Sequence, residues 1–277
     1  MIASALFALA ALLPASLATP IKPAFSNLSK RDLKAYAEEV TVHSSCNVTQ
    51  TRQLRKALAD TFELTAFAQE YVYRNGPSDP VYQLYFGDGD SVVVLGAYEN
   101  LMRSNKEGVL LRCDDIDGNC VQDGWRGHWR GENATEETVI CDLSYIDRKY
   151  NEQFCAFGYN VVNSSPSYYF STDLMHRLFH LPSIGLGKIG HFADDHADCV
   201  NLAKTNGTAA VYNTHSLQYF ANHVYAVEVA EGGEGCIGEY DSSGIVAPTT
   251  TSAAAASGTS SAAASCHTHS DGEVHCV

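Results

Sequence analysis

The sequence predicts a mainly α-helical α+β domain that carries a small β-hairpin sheet and is stabilised by disulfides. Residues 32–246 combine helical apolar periodicity with short apolar runs, and a segment of this length can bury a substantial core. The short runs flank Asp/Gly turns, as the strands of hairpins do. Nine cysteines follow an apolar N-terminal segment, which indicates export to an oxidising compartment where disulfides form.

Residues 1–18 form an apolar segment that closes with Ser16-Leu17-Ala18, and we expect them to be a cleaved signal peptide. The apolar part is too short to span about 30 Å of hydrocarbon, and no later segment is long and apolar enough. We therefore expect a secreted protein, extracellular or attached to the cell wall, with no membrane span. The dibasic pair Lys30-Arg31 is a candidate second processing site, which would make residues 19–31 a propeptide.

The composition argues against one class of partner and predicts one modification. A net charge of −14 leaves no basic stripe that could replace phosphate counterions, so nucleic acid is not an expected partner. Five acceptor sequons are dense for a chain of this length and predict a glycoprotein from a eukaryotic cell. They begin at Asn27, Asn47, Asn133, Asn163 and Asn206.

The first half of the domain contains two predicted helices and a small sheet. Asn47 or Thr49 can cap a helix that ends before Asn75-Gly76-Pro77, and a second helix is predicted from Ser91 to Asn105. Between residues 109 and 142 the apolar runs shorten to the length of strands, at 110–113 and 138–141.

The cysteine count leaves the disulfide map open. Cys113 and Cys120 flank an Asp/Gly turn and could bridge, while the other cysteines of the domain could pair in many ways. Because the count is odd, at least one thiol is free or joins another chain. A homo-oligomer is therefore one expectation.

The second half returns to helical periodicity, with helices predicted at 171–180, 191–204 and 215–229. Residues 247–265 are almost entirely Ser, Thr, Ala and Gly, a composition that cannot bury apolar surface and predicts a disordered linker. Residues 266–277 form a separate tail.

His176 and His180 lie four residues apart on a predicted helix. Their imidazoles therefore project from one face and can hold one Zn²⁺ at about 2.0–2.1 Å each. Such a pair also arises by chance on ordinary amphipathic helices, with one histidine in the core and the other in water. The pair alone is therefore weak support for a metal site.

The residues that follow strengthen the metal hypothesis. A Gly-rich turn can bring His191 back towards the first two histidines as a third ligand. Asp194 or Asp195 would then be a fourth ligand or a hydrogen-bond partner. Alternatively, the two aspartates open a helix at its positive end, and His196 lies on the wet face of that helix.

The tail offers a second candidate zinc site. Five borderline-soft donors fall within a short segment: Cys266, His267, His269, His275 and Cys276. If the two cysteines form a disulfide, the closed loop presents three histidines; if they stay reduced, their thiolates join the ligands. In the alternative without a metal, a disulfide closes the end of the chain and the histidines are solvated.

Three sequence blocks together carry a family resemblance. They are His176-Arg177-x-x-His180, then His191-Phe192-Ala193-Asp194-Asp195, then Ser216-Leu217-Gln218-Tyr219-Phe220-Ala221. The chain resembles the fungal pH-regulated antigens, also called zincophores, and its tail is similar to theirs. More distantly it resembles the deuterolysin-type aspzincin peptidases, which pair His-Glu-x-x-His with a downstream Asp. The resemblance implies a zincin-like, deuterolysin-like fold and a secreted protein that captures extracellular zinc for a cell-surface zinc transporter.

The sequence departs from the peptidase pattern at Arg177, which stands where the peptidases have the glutamate that acts as general base. Arginine cannot accept a proton near neutrality, so direct catalysis by this residue is excluded. Two alternatives to zinc capture stay open. One is a secreted zinc metalloendopeptidase that uses Asp173 or Asp195 as a non-standard base. The other is a surface antigen that binds host proteins, with zinc serving only the structure.

Overall fold

The computed structural model describes residues 30–230 and 235–240, together with the backbone of 266–268 and 274–276. The predicted signal peptide, all but the end of the predicted propeptide, and the predicted linker lie outside these residues. The described helices are α1 Lys30–Glu39, α2 Val48–Asn75, α3 Pro80–Phe86, α4 Ser91–Arg103, α5 Asp142–Asp147, α6 Phe170–Phe179, α7 Pro182–Gly185, α8 His196–Thr205, α9 Gly207–Ala210 and α10 Thr214–Tyr225. The described strands are β1 Thr41–Val42, β2 Leu110–Arg112, β3 Gly127–Trp129, β4 Glu137–Ile140, β5 Cys266–Thr268 and β6 Val274–Cys276.

Helix α2 is the longest element and lies at the centre of the helical layer, in contact with α1, α4, α6 and α10. Its start is a capping box: the Asn47 side chain accepts from the backbone of Thr49 and Gln50, and the Gln50 side chain accepts from the Asn47 backbone. It ends at Gly76, which has a positive φ of 74°. The predicted helix is confirmed with Asn47 as its cap, and it ends at Asn75, one residue later than predicted.

Other helix boundaries differ from the prediction. Helix α8 begins at His196 instead of 191, because the preceding residues form an irregular segment that is hydrogen-bonded elsewhere. The Asn213 side chain accepts hydrogen bonds from the backbone of Phe192 and Ala193, at 2.9 and 3.2 Å, and Asp195 caps α8. Helix α4 ends at Arg103, two residues early, and α10 passes into a π-helical turn at 226–230. The short helix α3, with Pro80 at its first turn, was not predicted.

The small sheet is confirmed, and it contains one hairpin together with two parallel strand pairs. The order is β1-β2-β4-β3, and both β1–β2 and β2–β4 are parallel. Only β3 and β4 form an antiparallel pair in this sheet. After β2 the chain first forms β3, which is not adjacent to β2. Strand β4 then lies between β2 and β3 and pairs with both. In the tail, β5 and β6 form a separate antiparallel pair.

Three disulfides join Cys46 with Cys113, Cys120 with Cys141 and Cys155 with Cys236. The predicted Cys113–Cys120 bridge is wrong, because the pairing of β1 with β2 brings Cys46 beside Cys113. Of the cysteines whose side chains the structure describes, Cys199 is free, and it is buried. No helix among the described residues combines the length and apolar character needed to cross a membrane.

A buried polar cluster joins three helices. The hydroxyl of Tyr85 on α3 lies 3.2 Å from His196 Nε2 on α8 and 3.0 Å from His223 Nδ1 on α10. All three side chains are buried, so the expectation that His196 lies on a wet helix face is wrong. Burial lowers the pKa of each histidine to about 4, because the imidazolium loses its hydration there. The neutral rings therefore hold the cluster together.

We expect the metal-free domain to lose stability as the pH falls from about 6.5 towards 4. The unfolded chain takes up protons on these histidines first, because their folded pKa of about 4 lies below the ordinary value. The loss is on the order of a few kcal/mol. Urea unfolding at several pH values, with a chelator present, measures it. His223→Gln is expected to flatten the dependence, and an unchanged slope in that variant would contradict this account.

Candidate metal site

Three histidines converge at the end of α6. His180 Nε2 lies 3.1 Å from His176 Nε2 and 2.9 Å from His191 Nε2. Two nitrogens bound to one tetrahedral Zn²⁺ are separated by about 3.3 Å, because each Zn–N bond is about 2.0–2.1 Å long. Both distances are therefore close to the nitrogen spacing that one zinc ion requires, and all three candidate ligand atoms lie within 4.8 Å of one another. We call these three predicted ligand histidines the inner triad.

The turn after α6 brings His191 to the triad. A Cβ on Gly185 would lie 1.7 Å from the carbonyl oxygen of Phe179, so only glycine allows this close return of the chain. Gly190 then pairs with the start of α10: its backbone donates to Tyr212 and accepts from Thr214, at 3.0 and 2.9 Å. The backbone carrying His191 is thus fixed against α10.

The hydrogen bonds behind His176 determine its tautomer. Gln218 Nε2 donates to the Thr172 carbonyl and to Ser167 Oγ, so its Oε1 faces His176 Nδ1 at 3.1 Å. An amide oxygen accepts only, and His176 Nδ1 therefore carries the proton. The lone pair lies on Nε2, which faces the other two histidines. This outer hydrogen bond is the kind that orients zinc-binding histidines.

His215 is a functional candidate that the sequence reasoning missed. Its Nδ1 lies 3.0 Å from the Ala193 carbonyl, which can only accept, so this nitrogen is the donor. The side chain is fully buried, and its ring centroid lies 5.1 Å from that of His176 and 5.0 Å from that of His191. The spacing of His215 from Gln218 on α10 was the available signal, because polar residues three apart share a helix face.

The two candidate aspartates have different positions. Asp194 Oδ1 lies 3.4 Å from His215 Nδ1 and 3.9 Å from His191 Nδ1. Asp195 instead accepts from the Asp198 backbone at 2.8 Å as the N-cap of α8. The structure therefore places Asp194 beside the histidines and gives Asp195 a structural contact.

Four of the five tail donors belong to the strands β5 and β6. The backbone pairs Cys266 with Cys276 and His267 with His275. The side chains of the tail, and His269 altogether, lie outside the described residues. Among the sequons, Asn47, Asn133, Asn163 and Asn206 are exposed, as glycan attachment requires, and Asn27 lies outside the described residues.

Arg177 belongs to a buried ion cluster. Its Nε and Nη2 donate to the two carboxylate oxygens of Asp173, each at 3.0 Å, and Arg148 Nη2 donates to the same carboxylate at 3.0 Å. Asp173 is fully buried and the two arginines nearly so. The guanidinium of Arg177 also lies against Gly127, where a Cβ would meet Nη1 at 2.8 Å. Arg177 therefore joins α6 to the sheet.

Comparison with known proteins places these features in a family. A family model described as "HRXXH: Putative peptidase family" matches residues 2–239. Antigen 1 of Emericella nidulans is 45% identical over 85% of this chain and 87% of its own length. Major allergen Asp f 2 of Aspergillus fumigatus is 42% identical over 81% and 71%, respectively. The pH-regulated antigen PRA1 of Candida albicans is 42% identical over 72% and 67%.

A solved structure was also found to be similar. It is a zinc peptidase from Grifola frondosa, 15% identical in sequence, with a TM-score of 0.47 over 64% of this chain and 97% of that chain.

We expect Arg177→Glu to destabilise the fold instead of restoring a catalytic base. The new carboxylate would face the buried Asp173, and breaking a buried ion cluster costs about 3–5 kcal/mol. Thermal and urea unfolding of the metal-free protein measure the loss. Arg177→Lys is the matched control, since it keeps the charge and loses only the bidentate geometry. If the Arg177→Glu variant proved as stable as the wild type, a structural role for this residue would be contradicted.

Proposed function

The chain belongs to the HRXXH family, and on that premise we propose that it is a secreted protein that captures extracellular zinc for uptake by the cell. The relatives are named as fungal antigens and an allergen, which fits an extracellular protein. The observation that carries the proposal is the convergence of the His176 and His191 Nε2 atoms on His180 Nε2, at 3.1 and 2.9 Å. The partner we propose for delivery is a cell-surface zinc transporter.

The donor chemistry favours zinc over the hard cations. Neutral imidazole suits zinc and other late transition metals, whereas calcium and magnesium prefer oxygen ligands. The inner triad offers three imidazoles, and the carboxylate beside them is that of Asp194. Two of the three nitrogen pairs stand at 3.1 and 2.9 Å, close to the separation of two ligands on a tetrahedral Zn²⁺ ion.

The surroundings of the triad favour capture over hydrolysis. A peptidase needs a group that accepts a proton from the metal-bound water. Arg177 is a cation, Asp173 is held by two guanidinium groups, and Asp195 caps α8. None of these three side chains is thus presented to the triad as a base, which supports a binding protein on a metallopeptidase-like scaffold.

We expect the inner triad to bind one zinc ion tightly. The test uses the full-length chain with His267, His269 and His275 replaced by alanine, which we call the tail-silent chain. Within it, His180→Ala is expected to weaken zinc binding about 100-fold or more, because it removes one of three ligands. His43→Ala is the matched control, since His43 contacts Ser45 and lies outside the triad. Calorimetric titration measures both.

The same samples separate the alternative functions. We expect no chelator-sensitive cleavage of fluorogenic peptides by the wild-type chain. Robust cleavage that His180→Ala abolishes would establish a metalloendopeptidase instead. Host-protein binding that persists after metal removal, without measurable zinc uptake, would favour a surface antigen with structural zinc.

We expect deletion of residues 266–277 to lower the number of zinc ions bound without unfolding the domain. The segment before the tail, 247–265, has the composition of a flexible linker and should uncouple the two parts. Native mass spectrometry counts the ions, and circular dichroism follows the melting of the metal-free domain. An unfolded truncated chain would show that the tail is structural. An unchanged number of bound zinc ions would show that the tail binds none.

A further inference from the structure

We propose that Cys120, Cys141 and His128 form a zinc site separate from the inner triad, which their disulfide keeps closed and a thiol reductant opens. One nitrogen of His128 and the two sulfurs all lie within 4.8 Å of one another. Thiolate sulfur and neutral imidazole are both ligands that zinc prefers. Because none of these residues belongs to the inner triad, the inference does not depend on the proposed function.

The pairing of β3 with β4 places His128 and Cys141 on one face of the sheet. His128 lies opposite Val139, and the Cys141 backbone N–H donates to the Arg126 carbonyl at 3.0 Å, which continues the pairing beyond β4. Residues two apart in a strand share a face, so the side chain of Cys141 follows that of Val139 on the His128 side. The disulfide then brings Cys120 to the same place.

The hydrogen bonds of His128 leave one of its nitrogens available to a metal. Its Nε2 lies 3.2 Å from Asp117 Oδ2, and this carboxylate also accepts from Arg130 Nε at 2.9 Å. A carboxylate paired with a guanidinium only accepts, so His128 Nε2 is the donor. Burial lowers the pKa of His128, so the ring is neutral near pH 7 and the lone pair is on Nδ1.

The Nδ1 atom of His128 is buried and has no hydrogen-bond partner among the described residues. A buried polar atom of this kind is rare in folded proteins and requires an explanation. A metal ion bound to Nδ1 would be its missing partner, while Asp117 holds the opposite side of the ring. A carboxylate that orients a histidine in this way is usual behind zinc ligands. His128 is thus oriented as a ligand before any metal binds.

The two sulfurs stay near His128 without the disulfide, because hydrogen bonds fix both backbones. The Asp115 carboxylate accepts from the backbone of Asn119 and Cys120, each at 2.9 Å. The backbone of Cys141 is held by its hydrogen bond to β3. Two thiolates on one tetrahedral Zn²⁺ stand about 3.8 Å apart, since each Zn–S bond is about 2.3 Å long. Rotation of the two reduced side chains is therefore enough to reach ligand spacing.

A cavity of about 320 Å³ gives ions access to the sulfurs. The residues that line it include Asp115, Cys120, Asp123, Cys141 and Asp142. Carboxylates in a cleft raise the local concentration of cations. Two thiolates and one neutral imidazole then balance the charge of Zn²⁺, which lowers the cost of burying the ion.

Opening and closing of the site are balanced reactions. Two equivalents of a thiol transfer two electrons to the Cys120–Cys141 disulfide: its S–S bond breaks, two cysteine thiols form, and the reductant becomes a disulfide. Zn²⁺ then binds the two sulfurs and displaces their two protons. A disulfide oxidant accepts two electrons from the thiolates, re-forms the S–S bond and releases Zn²⁺ with its charge unchanged. The site is thus loaded under reducing conditions and emptied by oxidation.

The test uses a full-length chain without the other candidate zinc sites, which we call the reporter chain. It is the tail-silent chain with His180→Ala, Cys266→Ser and Cys276→Ser. Native mass spectrometry counts the zinc ions bound before and after treatment with a phosphine reductant. We expect no ion in the oxidised reporter chain and one ion in the reduced reporter chain. Circular dichroism of the reduced chain checks that it stays folded.

Variants of the reporter chain, assayed under the same reducing conditions, locate the ion. Cys120→Ser/Cys141→Ser is expected to bind no zinc. His128→Gln is expected to weaken binding about 100-fold or more, because it removes one of three ligands. The matched control is Cys46→Ser/Cys113→Ser, which also removes two thiols but keeps the proposed ligands. We expect unchanged zinc binding from this control.

Alkylation of the wild-type chain gives a readout that needs no variant. After reduction, zinc is expected to slow the alkylation of Cys120 and Cys141 about 10-fold or more, because a metal-bound thiolate is a poorer nucleophile than a free one. Cys46 and Cys155 are expected to react at the same rate with and without zinc. Peptide mass spectrometry assigns each rate to its cysteine.

Three outcomes would overturn the inference. Equal zinc binding by the oxidised and reduced reporter chains would show that the disulfide does not close a site. An ion lost in Cys46→Ser/Cys113→Ser but kept in Cys120→Ser/Cys141→Ser would place it on other thiols. Zinc that fails to protect Cys120 and Cys141 of the wild-type chain would exclude them as ligands. None of these outcomes affects the inner triad, which is tested in the oxidised tail-silent chain.

Discussion

The structure depends on satisfying the polar groups of α6, a helix in which every residue is buried. A buried polar side chain without partners is costly, so each one on α6 requires a hydrogen-bonding group from a neighbouring element. Helix α2 supplies Thr61, which donates to the Ser171 carbonyl at 2.9 Å. Helix α10 supplies Gln218 to His176, and Arg148, at the end of α5, donates to Asp173. The hydrogen-bonding requirements of buried α6 therefore constrain where α2, α10 and Arg148 lie.

Helix α6 carries both a structural ion cluster and two of the candidate metal ligands. Asp173 and Arg177 form the ion cluster that joins α6 to the sheet, while His176 and His180 face the segment from the Gly-rich turn. In a peptidase of the His-Glu-x-x-His type, the residue after the first histidine serves the reaction. Here that position is occupied by a cation with a structural partner. The change therefore exchanges a group that moves protons for one that stabilises the fold.

The histidine cluster is oriented by hydrogen bonds from groups behind the candidate ligands. The Ala193 carbonyl and the Gln218 amide oxygen each face the Nδ1 of one histidine, His215 or His176. Both are acceptors only, so each holds a ring in the tautomer whose Nε2 carries the lone pair. Histidines that merely fill a core do not require this shared orientation. Asn213 adds the backbone support, since it binds the segment that carries His191 and Asp194.

The sequence by itself determined the local features of this protein. The capping box at Asn47 and the break at Gly76 define α2, and the four-residue spacing of His176 and His180 places both imidazoles on one face. These follow from contacts between residues close in the chain. The parallel pairing of β2 with β4, the Cys46–Cys113 bridge, and the approach of His215 to the triad join distant segments. Only the tertiary structure decided them, because many long-range pairings satisfy the same local pattern, and the choice among them is made by packing and by the hydrogen-bonding needs of buried groups.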